Sequence, residues 1–429
     1  MNHEFLKILI ITYYWPPSGG PGVQRWLKFV KYLPAFGIEP VVLTVDPASA
    51  EYPVIDESLE KDIFPELEVF RTDCKGVYDW YKRLTGTKTA PYSGFANEGN
   101  PGCLQKMARF IRGNFFLPDA RRGWIKYAFA EACRLIEKDK IDAVITTGPP
   151  HSTHLTGLKL KKKYNIRWIA DFRDPWSNIQ YKKLLYQTRW AQKMDLKNER
   201  QVLERCDHLL LAVDERKRFA EIHPHVSAEK MIFMPNGYDE TDFEGMNFYL
   251  PDDFLITYTG TIAVNYPTEG LVKALLLLRE QFPFTIQFVG KTDEKTRALF
   301  EQYLPENTLF LDHVSHRQSI EFLAKSSTLL LINAHVEGSE FLLHGKIYEY
   351  LASEKPILLL APVAGIAAQI IKNANAGAAF DYNDVKGIAN FLAEQYQNQK
   401  KGIRPSPERE VIRQFSRERL TQRLAELLK

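Results

Sequence analysis

The chain has 429 residues, 45% hydrophobic and 25% charged, which excludes a disordered chain and leaves room for two domains of roughly 200 residues each. The formal net charge of +3 hides an asymmetry: residues 1–212 hold 32 Lys/Arg against 24 Asp/Glu, whereas 213–429 hold 24 against 29. A basic first half points to an anionic partner, a phosphorylated substrate or a membrane surface, while the lack of any basic-aromatic reader motif argues against nucleic acid.

Phe5–Thr12 is apolar but runs straight into a Pro/Gly loop, so it reads as a first strand, not a signal peptide. No apolar run approaches the roughly 20 residues of a membrane span. The four cysteines, Cys74, Cys103, Cys133 and Cys206, form no CxxC pair; this suggests neither zinc site nor disulfide framework and fits the reduced cytosol.

Lys7–Thr12 reads as a central parallel strand, followed by the turn PPSGGPG (Pro16–Gly22), a helix from about Val23 to Leu33, and a second strand, Pro40–Val45. Gly19 and Gly20 permit close backbone approach to a ligand, and Arg25, in the helix's first turn, is within reach of an anion. The plain alternative is a tight turn. Asp46 ends the second strand, as a dinucleotide site requires, but GxGxxG is absent from both halves.

Leu67–Thr72 is a third strand, and 75–118 is irregular. Leu104–Lys126 carries Lys106, Arg109, Arg112, Arg121, Arg122 and Lys126 against the single acid Asp119, interleaved with Phe110, Phe115, Phe116, Leu117 and Trp124. That composition suits an anionic lipid surface; the alternative is a partly buried helix with a solvated basic face.

Ile141–Thr147 is a buried strand ending in GPPHSTH, which puts His151 and His154 at a strand's carboxyl end, where open α/β sheets bind ligands. Arg167–Asp171 follows and ends in Asp171-Phe172-Arg173-Asp174, either a site edge or a self-satisfying Asp–Arg pair. Then come a helix over about Tyr186–Arg205 and strands His208–Val213 and Met231–Met234, the last ending in Pro235-Asn236-Gly237.

The turn-rich stretch Asn236–Asp253 marks a domain boundary, after which the alternation restarts. Strands are predicted at Leu255–Thr259, Phe284–Val289, Leu309–Leu311, Thr328–Ile332 and Ile357–Leu360, with helices at about Thr268–Gln281, Asp293–Tyr303, Ser315–Ala324 and Ile366–Lys372, and a further helix entered at Gly345 and ended by Pro356. Pro407–Leu428 has helical spacing. In HGKIYEYLASEKPILLLAP, Lys346 and Glu349 are three apart and share one helical face. A lysine and a carboxylate there suit a diphosphate and the hydroxyls of a ribose; the alternative is an ordinary surface pair.

These motifs, in this order, resemble glycosyltransferase family 4, whose members are retaining nucleotide-sugar transferases. The matching stretches are PPSGGPGVQRWLKFVKYL, ADFRDPW, MPNGYDETDF, YTG at Tyr258–Gly260, FVG at Phe288–Gly290 and GKIYEYLASEKPIL. The resemblance covers nearly the whole chain. It implies an α/β GT-B fold, two Rossmann-like domains facing a central cleft. Residues 1–236 would be the acceptor domain, 237–405 the nucleotide-sugar domain, and 406–429 a terminal helix packing back on the first domain.

The resemblance also implies a division of labour. Glu349 would take the ribose and Lys346 the diphosphate, with Asn236, Gly260 and Gly290 at the donor; Gly19, Gly20 and Arg25 would close on the diphosphate. His151 or His154 would lie near the transferred sugar, His151, His154, Asp171 and Lys346 are the catalytic candidates, and Lys106, Arg109, Arg112, Arg121, Arg122 and Trp124 would face membrane or acceptor. The nucleotide sugar is a co-substrate, no metal or other cofactor is required, and the acceptor is a glycan or lipid-linked precursor. The place of work is the cytoplasm, at the inner face of the membrane.

The chain departs from the family in two ways. The family pairs two glutamates eight residues apart, but counting back from Glu349 reaches Phe341. The Arg and Lys expected after the YTG strand are absent, with Lys273 too far along, leaving Lys346 and Arg25 as candidate replacements. Two alternatives remain: a nucleotide-sugar epimerase of the same architecture, and a non-catalytic nucleotide-sugar-binding subunit of a glycan assembly complex. An oxidoreductase fits least.

Overall fold

A computed structural model describes residues 5–74, 102–177, 180–246 and 251–429. Most of the stretch read as irregular, 75–101, lies outside the described residues. The chain divides into two units, Met1–Pro235 with Leu420–Lys429, and Asn236–Arg419. Of the terminal segment 406–429, therefore, only the last ten residues belong to the first unit.

The first unit holds seven parallel strands: β1 (Leu6–Ile11), β2 (Ile38–Val45), β3 (Glu68–Thr72), β4 (Ala143–Gly148), β5 (Arg167–Phe172), β6 (His208–Leu211) and β7 (Met231–Phe233). Their spatial order is β3-β2-β1-β4-β5-β6-β7, so the winding reverses between β1 and β4. Period-two alternation sorts β1 onto two faces. Ile8 and Ile10 pack with Val42, Ile145 and Ile169 beneath Trp26, Leu27 and Val30 of helix Pro21–Tyr32. Leu420, Leu424 and Leu428 close that same layer, which is why the chain's last turns return here. Leu9 and Ile11 face the other way, against Ala128, Ala132 and Leu135 of helix Ile125–Asp139.

The second unit holds six parallel strands, β8 (Phe254–Thr259), β9 (Phe284–Val289), β10 (Thr308–Leu311), β11 (Thr328–Ile332), β12 (Ile357–Leu360) and β13 (Gly377–Phe380). The order is β10-β9-β8-β11-β12-β13, reversing between β8 and β11. Ile256, Tyr258, Ile286, Phe288, Leu358 and Leu360 pack against Leu271, Leu275 and Leu278 of helix Glu269–Leu278 and Ile388 and Leu392 of helix Val385–Lys400. Each such side chain contributes about 1.5–3 kcal/mol when fully buried.

The predicted terminal helix is two, Arg409–Arg413 and Arg417–Leu428. The break has a local cause: Phe415 O accepts from Tyr238 N at 3.0 Å, and Ser416 Oγ accepts from Arg419 N at 3.2 Å, starting a fresh helix. No helix among the described residues is long and apolar enough to cross a membrane.

Candidate functional site

In each unit the strand order reverses once, and the carboxyl edge at such a reversal is the usual ligand position in open α/β sheets. In the second unit this edge gathers five of the candidate residues. β8 ends at Thr259, and Gly260 follows it with φ +108°, a conformation that favours glycine. Gly290, after β9, has φ +125°, and a Cβ there would lie 2.4 Å from Gly260 O. Gly290 is thus needed to bring these two strand ends together.

Lys346 begins helix Lys346–Ala352 and reaches back across this edge. Its Nζ donates to Thr259 O at 2.7 Å and Tyr258 Oη at 2.9 Å and stands 4.2 Å from the Tyr258 ring centroid. A Cβ on Gly260 would lie 2.7 Å from that Nζ, so the glycine also makes room for the cation. Burial brings the Lys346 ammonium down to about 8, with Glu349 pulling the other way. The Asn236 amide approaches the turn at Gly345 that precedes the helix, 3.9 Å from where a Cβ would sit.

Glu349 lies one turn along, its side chain 19% exposed. Burial raises its pKa; His316 and Arg417 oppose that rise. His316 was not legible as a site residue. Its Nδ1 is 3.8 Å from Glu349 Oε1, and its Nε2 is 3.1 Å from Asp242 Oδ2. The hydrogen bond to Asp242 is the main reason its pKa is raised. Seventy-four residues separate Asp242 from His316, so no local spacing announces the pair. His344, beside Lys346, is held down to about 4 by burial and by that lysine.

The first unit requires corrections. Arg25, expected on an anion, has a side chain with no exposure and is spent on Asp171, Nη2 to Oδ1 at 2.8 Å and Nε to Oδ2 at 3.2 Å. Asp171, a catalytic candidate in the sequence, is equally buried and also accepts from Trp26 Nε1 at 2.7 Å and Thr147 Oγ1 at 2.8 Å. Burial alone pushes its carboxyl up, but the charge and hydrogen bonds of Arg25 win and hold it below the ordinary value. The pair ties helix Pro21–Tyr32 to the sheet.

His151 and His154 are core residues, 3% and 0% exposed. The His154 ring stacks on Phe172 at 4.5 Å, and His151 stacks on Trp176 at 5.0 Å. Burial keeps both neutral, His154 down at about 3. His151 Nδ1 and Nε2 and His154 Nε2 are buried with no hydrogen-bond partner among the described residues.

Gly20 starts helix Pro21–Tyr32 at φ +106° with no side chain capping it, while Gly19 N donates to Val54 O at 2.9 Å. The guanidinium at this edge is Arg173. It donates from Nε to Gly148 O at 3.1 Å, and a Cβ on Gly22 would lie 1.5 Å from its Nη1. Gly22 is therefore the space that Arg173 occupies. Asp46 closes a turn instead, accepting from Ala48 N at 2.8 Å.

Of the basic-aromatic segment, Arg109 and Trp124 are buried, at 4% and 1%, and so face neither membrane nor acceptor. Trp124 Nε1 donates to Thr72 Oγ1 at 2.8 Å. Arg121 is engaged with Glu51 and lies over the Tyr13 ring. Arg112 is half-buried, whereas Lys106 and Arg122 are exposed together with Met107, Phe110 and Phe115.

The two sheets with their helices form the two-domain α/β GT-B fold. Solved structures of the same fold include sucrose-phosphate synthase from Thermosynechococcus elongatus, 14% identical over 98% of this chain and 98% of that one, TM-score 0.62. TarM is 10% identical over the whole of both chains, TM-score 0.64. Anabaena HepE in complex with UDP-glucose is 13% identical over 98% of this chain and 99% of that one, TM-score 0.59. No protein-family model and no curated protein sequence matches the chain.

Proposed function

We propose that the protein is a retaining glycosyltransferase that moves a hexose from a nucleotide sugar to a glycan or lipid-linked acceptor in surface-polysaccharide synthesis. One observation carries this reading. Lys346 Nζ is held on Thr259 O and Tyr258 Oη at a glycine-lined strand end, with Glu349 one turn further on. On a GT-B scaffold that is a cation for a diphosphate and a carboxylate for a ribose. HepE, which shares the fold, is a protein solved with UDP and with UDP-glucose, which makes UDP the first base to try.

In this proposal Lys346 and the backbone N–H groups near Gly260 and Gly290 stabilise the leaving diphosphate as its bond to the anomeric carbon breaks. The acceptor oxygen forms the new bond on the same face, and its proton passes to the leaving phosphate oxygen. No protein nucleophile and no metal enters the scheme. Glu349 fixes the ribose, with His316 between it and Asp242 as a positioning residue. The first unit takes the acceptor, with Gly19, Gly20 and Arg173 at its edge, Arg173 in the part expected of Arg25. The work is done at the cytoplasmic membrane face, where Lys106, Arg122, Phe110 and Phe115 meet anionic lipid.

The test is a thermal-shift panel of UDP, GDP, ADP, CMP, their sugars and NAD(P), followed by NMR of the first sugar released when the selected donor is slowly hydrolysed. A selective rise with one nucleoside diphosphate and a product of unchanged anomeric configuration are expected. A rise with NAD(P) alone, or an inverted product, contradicts the proposal, and conversion of the donor sugar without release assigns an epimerase.

A further inference from the structure

The first unit carries an apolar surface at a seam between two segments distant in the chain. Helix Cys103–Phe115 packs against the segment that leads into helix Arg189–Arg205. Asn114 Nδ2 donates to Phe110 O at 2.8 Å and to Tyr186 O at 3.2 Å, and its Oδ1 accepts from Thr188 N at 2.7 Å. Gln187 Nε2 donates to Gly113 O at 3.1 Å. A Cβ on Gly113 would lie 2.4 Å from Leu185 O, so the glycine permits the close approach. Seventy-two residues separate Asn114 from Tyr186, and only the fold makes one surface of the two segments.

Along this seam six large apolar side chains reach solvent. Met107, Phe110 and Phe115 come from the helix, and Leu184, Tyr186 and Trp190 from the second segment. Phe115 and Trp190 are the most open, at 66% and 65%. Apolar surface gathered in one place and left in water marks a contact with a partner of matching chemistry.

The charge around the seam has one sign. Neither 102–118 nor 180–194 contains an Asp or Glu, while Lys106, Arg122, Arg189 and Lys193 are exposed. Lys106 lies one helical turn before Phe110, and Arg122 donates from Nη1 to Phe115 O at 3.0 Å. Arg189 precedes Trp190, and Lys193 follows it by three residues on the same helix. Aromatic rings flanked by cations, with no carboxylate among them, match a bilayer carrying anionic headgroups: the rings sit at headgroup depth and the cations meet phosphate. A second copy of this chain would bring the same positive charge to the contact, which opposes pairing.

We infer that Leu184, Tyr186 and Trp190 enter the anionic lipid interface beside helix Cys103–Phe115, so that the lipid contact is a platform of two segments with Trp190 as its anchor. The inference rests on the membrane part of the proposed function and extends it to a segment outside the basic-aromatic stretch of the sequence.

The experiment is titration of the full chain with vesicles of equal parts phosphatidylglycerol and phosphatidylcholine, read by co-sedimentation and by tryptophan emission. Trp15, Trp26, Trp124, Trp168 and Trp176 are buried, and the difference between wild type and Trp190→Phe isolates the Trp190 signal. That signal should move to shorter wavelength with these vesicles and stay in place with phosphatidylcholine alone. Tyr186→Ser combined with Trp190→Ser should weaken vesicle binding at least about tenfold and leave the melting temperature unchanged, since both side chains are exposed. Binding that Lys106→Ser with Arg122→Ser weakens while the Trp190 emission stays fixed overturns the two-segment platform and leaves the proposed function standing. No vesicle binding by wild type overturns the platform together with the membrane part of that function, and UDP binding then still reports on the donor site. Self-association in sedimentation that the Tyr186→Ser, Trp190→Ser pair abolishes also overturns the platform, because the surface then joins two copies.

Discussion

Asp171 provides a sharp test, because its sequence context suggests chemistry and its surroundings argue for structure. Replacing it by Asn keeps the shape and removes the charge. Arg25 and Asp171 side chains have no exposure, so Asp171→Asn leaves a buried guanidinium without its counter-charge. Breaking a buried pair from one side costs about 3–5 kcal/mol. For a unit of this size that lowers the melting temperature by about 6–20 °C. Trp26 and Thr147 keep a neutral acceptor, so the loss should fall on the charge, and Arg25→Met together with Asp171→Asn should recover part of it. Because Arg25 holds the Asp171 pKa below its ordinary value, the pair's contribution is present above that ordinary value and is lost as pH falls through the lowered one. Differential scanning calorimetry, with turnover measured well below the melting point, reads both quantities. A variant that melts within about 2 °C of wild type, far less than the expected cost, yet has lost transfer would put Asp171 in the chemistry and refute the reasoning.

Three further outcomes are expected. Lys346 must be protonated to hold a diphosphate, so UDP affinity should be flat below its value of about 8 and fall above it, by up to about tenfold per pH unit, and Lys346→Met should remove that dependence; a flat profile in wild type contradicts the role. Gly290→Ala places a methyl 2.4 Å from Gly260 O at φ +125° and should cost both stability and nucleotide binding, measurable by thermal shift with and without UDP. Replacing Lys106 and Arg122 by Ser should weaken binding to phosphatidylglycerol vesicles by roughly 30-fold, at about 1 kcal/mol per charge, whereas Trp124→Ala should lower stability, because Trp124 is buried.

Much of the architecture is legible in the sequence because parallel strands buried on both faces are short apolar runs, such as ILII in β1 and ILLL in β12. β13 is harder to see: Gly377–Phe380 reads GAAF, an edge strand of weak propensity that borrows its stability from pairing with β12. Lys346 and Glu349 are legible because both lie on one helix turn. The pairs that fix the other candidates come from distant segments, His316 with Asp242 in the second unit and, in the core of the first, Arg25 with Asp171, and only the fold of each unit brings them together. Composition misleads at Arg109 and Trp124, since a basic-aromatic stretch reads the same whether its aromatics face lipid or the core. At PPSGGPG the sequence shows that glycine is needed but not why: Gly20 needs its positive φ, and Gly22 makes way for Arg173.

The central claim, that the second unit holds a nucleotide by its ribose and diphosphate, is tested most directly by titrating wild type and Glu349→Gln with UDP and with 2′,3′-dideoxy-UDP. Charge-assisted hydrogen bonds are worth about 1.5–3 kcal/mol each, so wild type should prefer UDP by at least tenfold. Glu349→Gln should lose most of that preference while still binding the dideoxy nucleotide as wild type does. Equal discrimination in both proteins would remove Glu349 from the ribose and with it the assignment of this edge as the donor site.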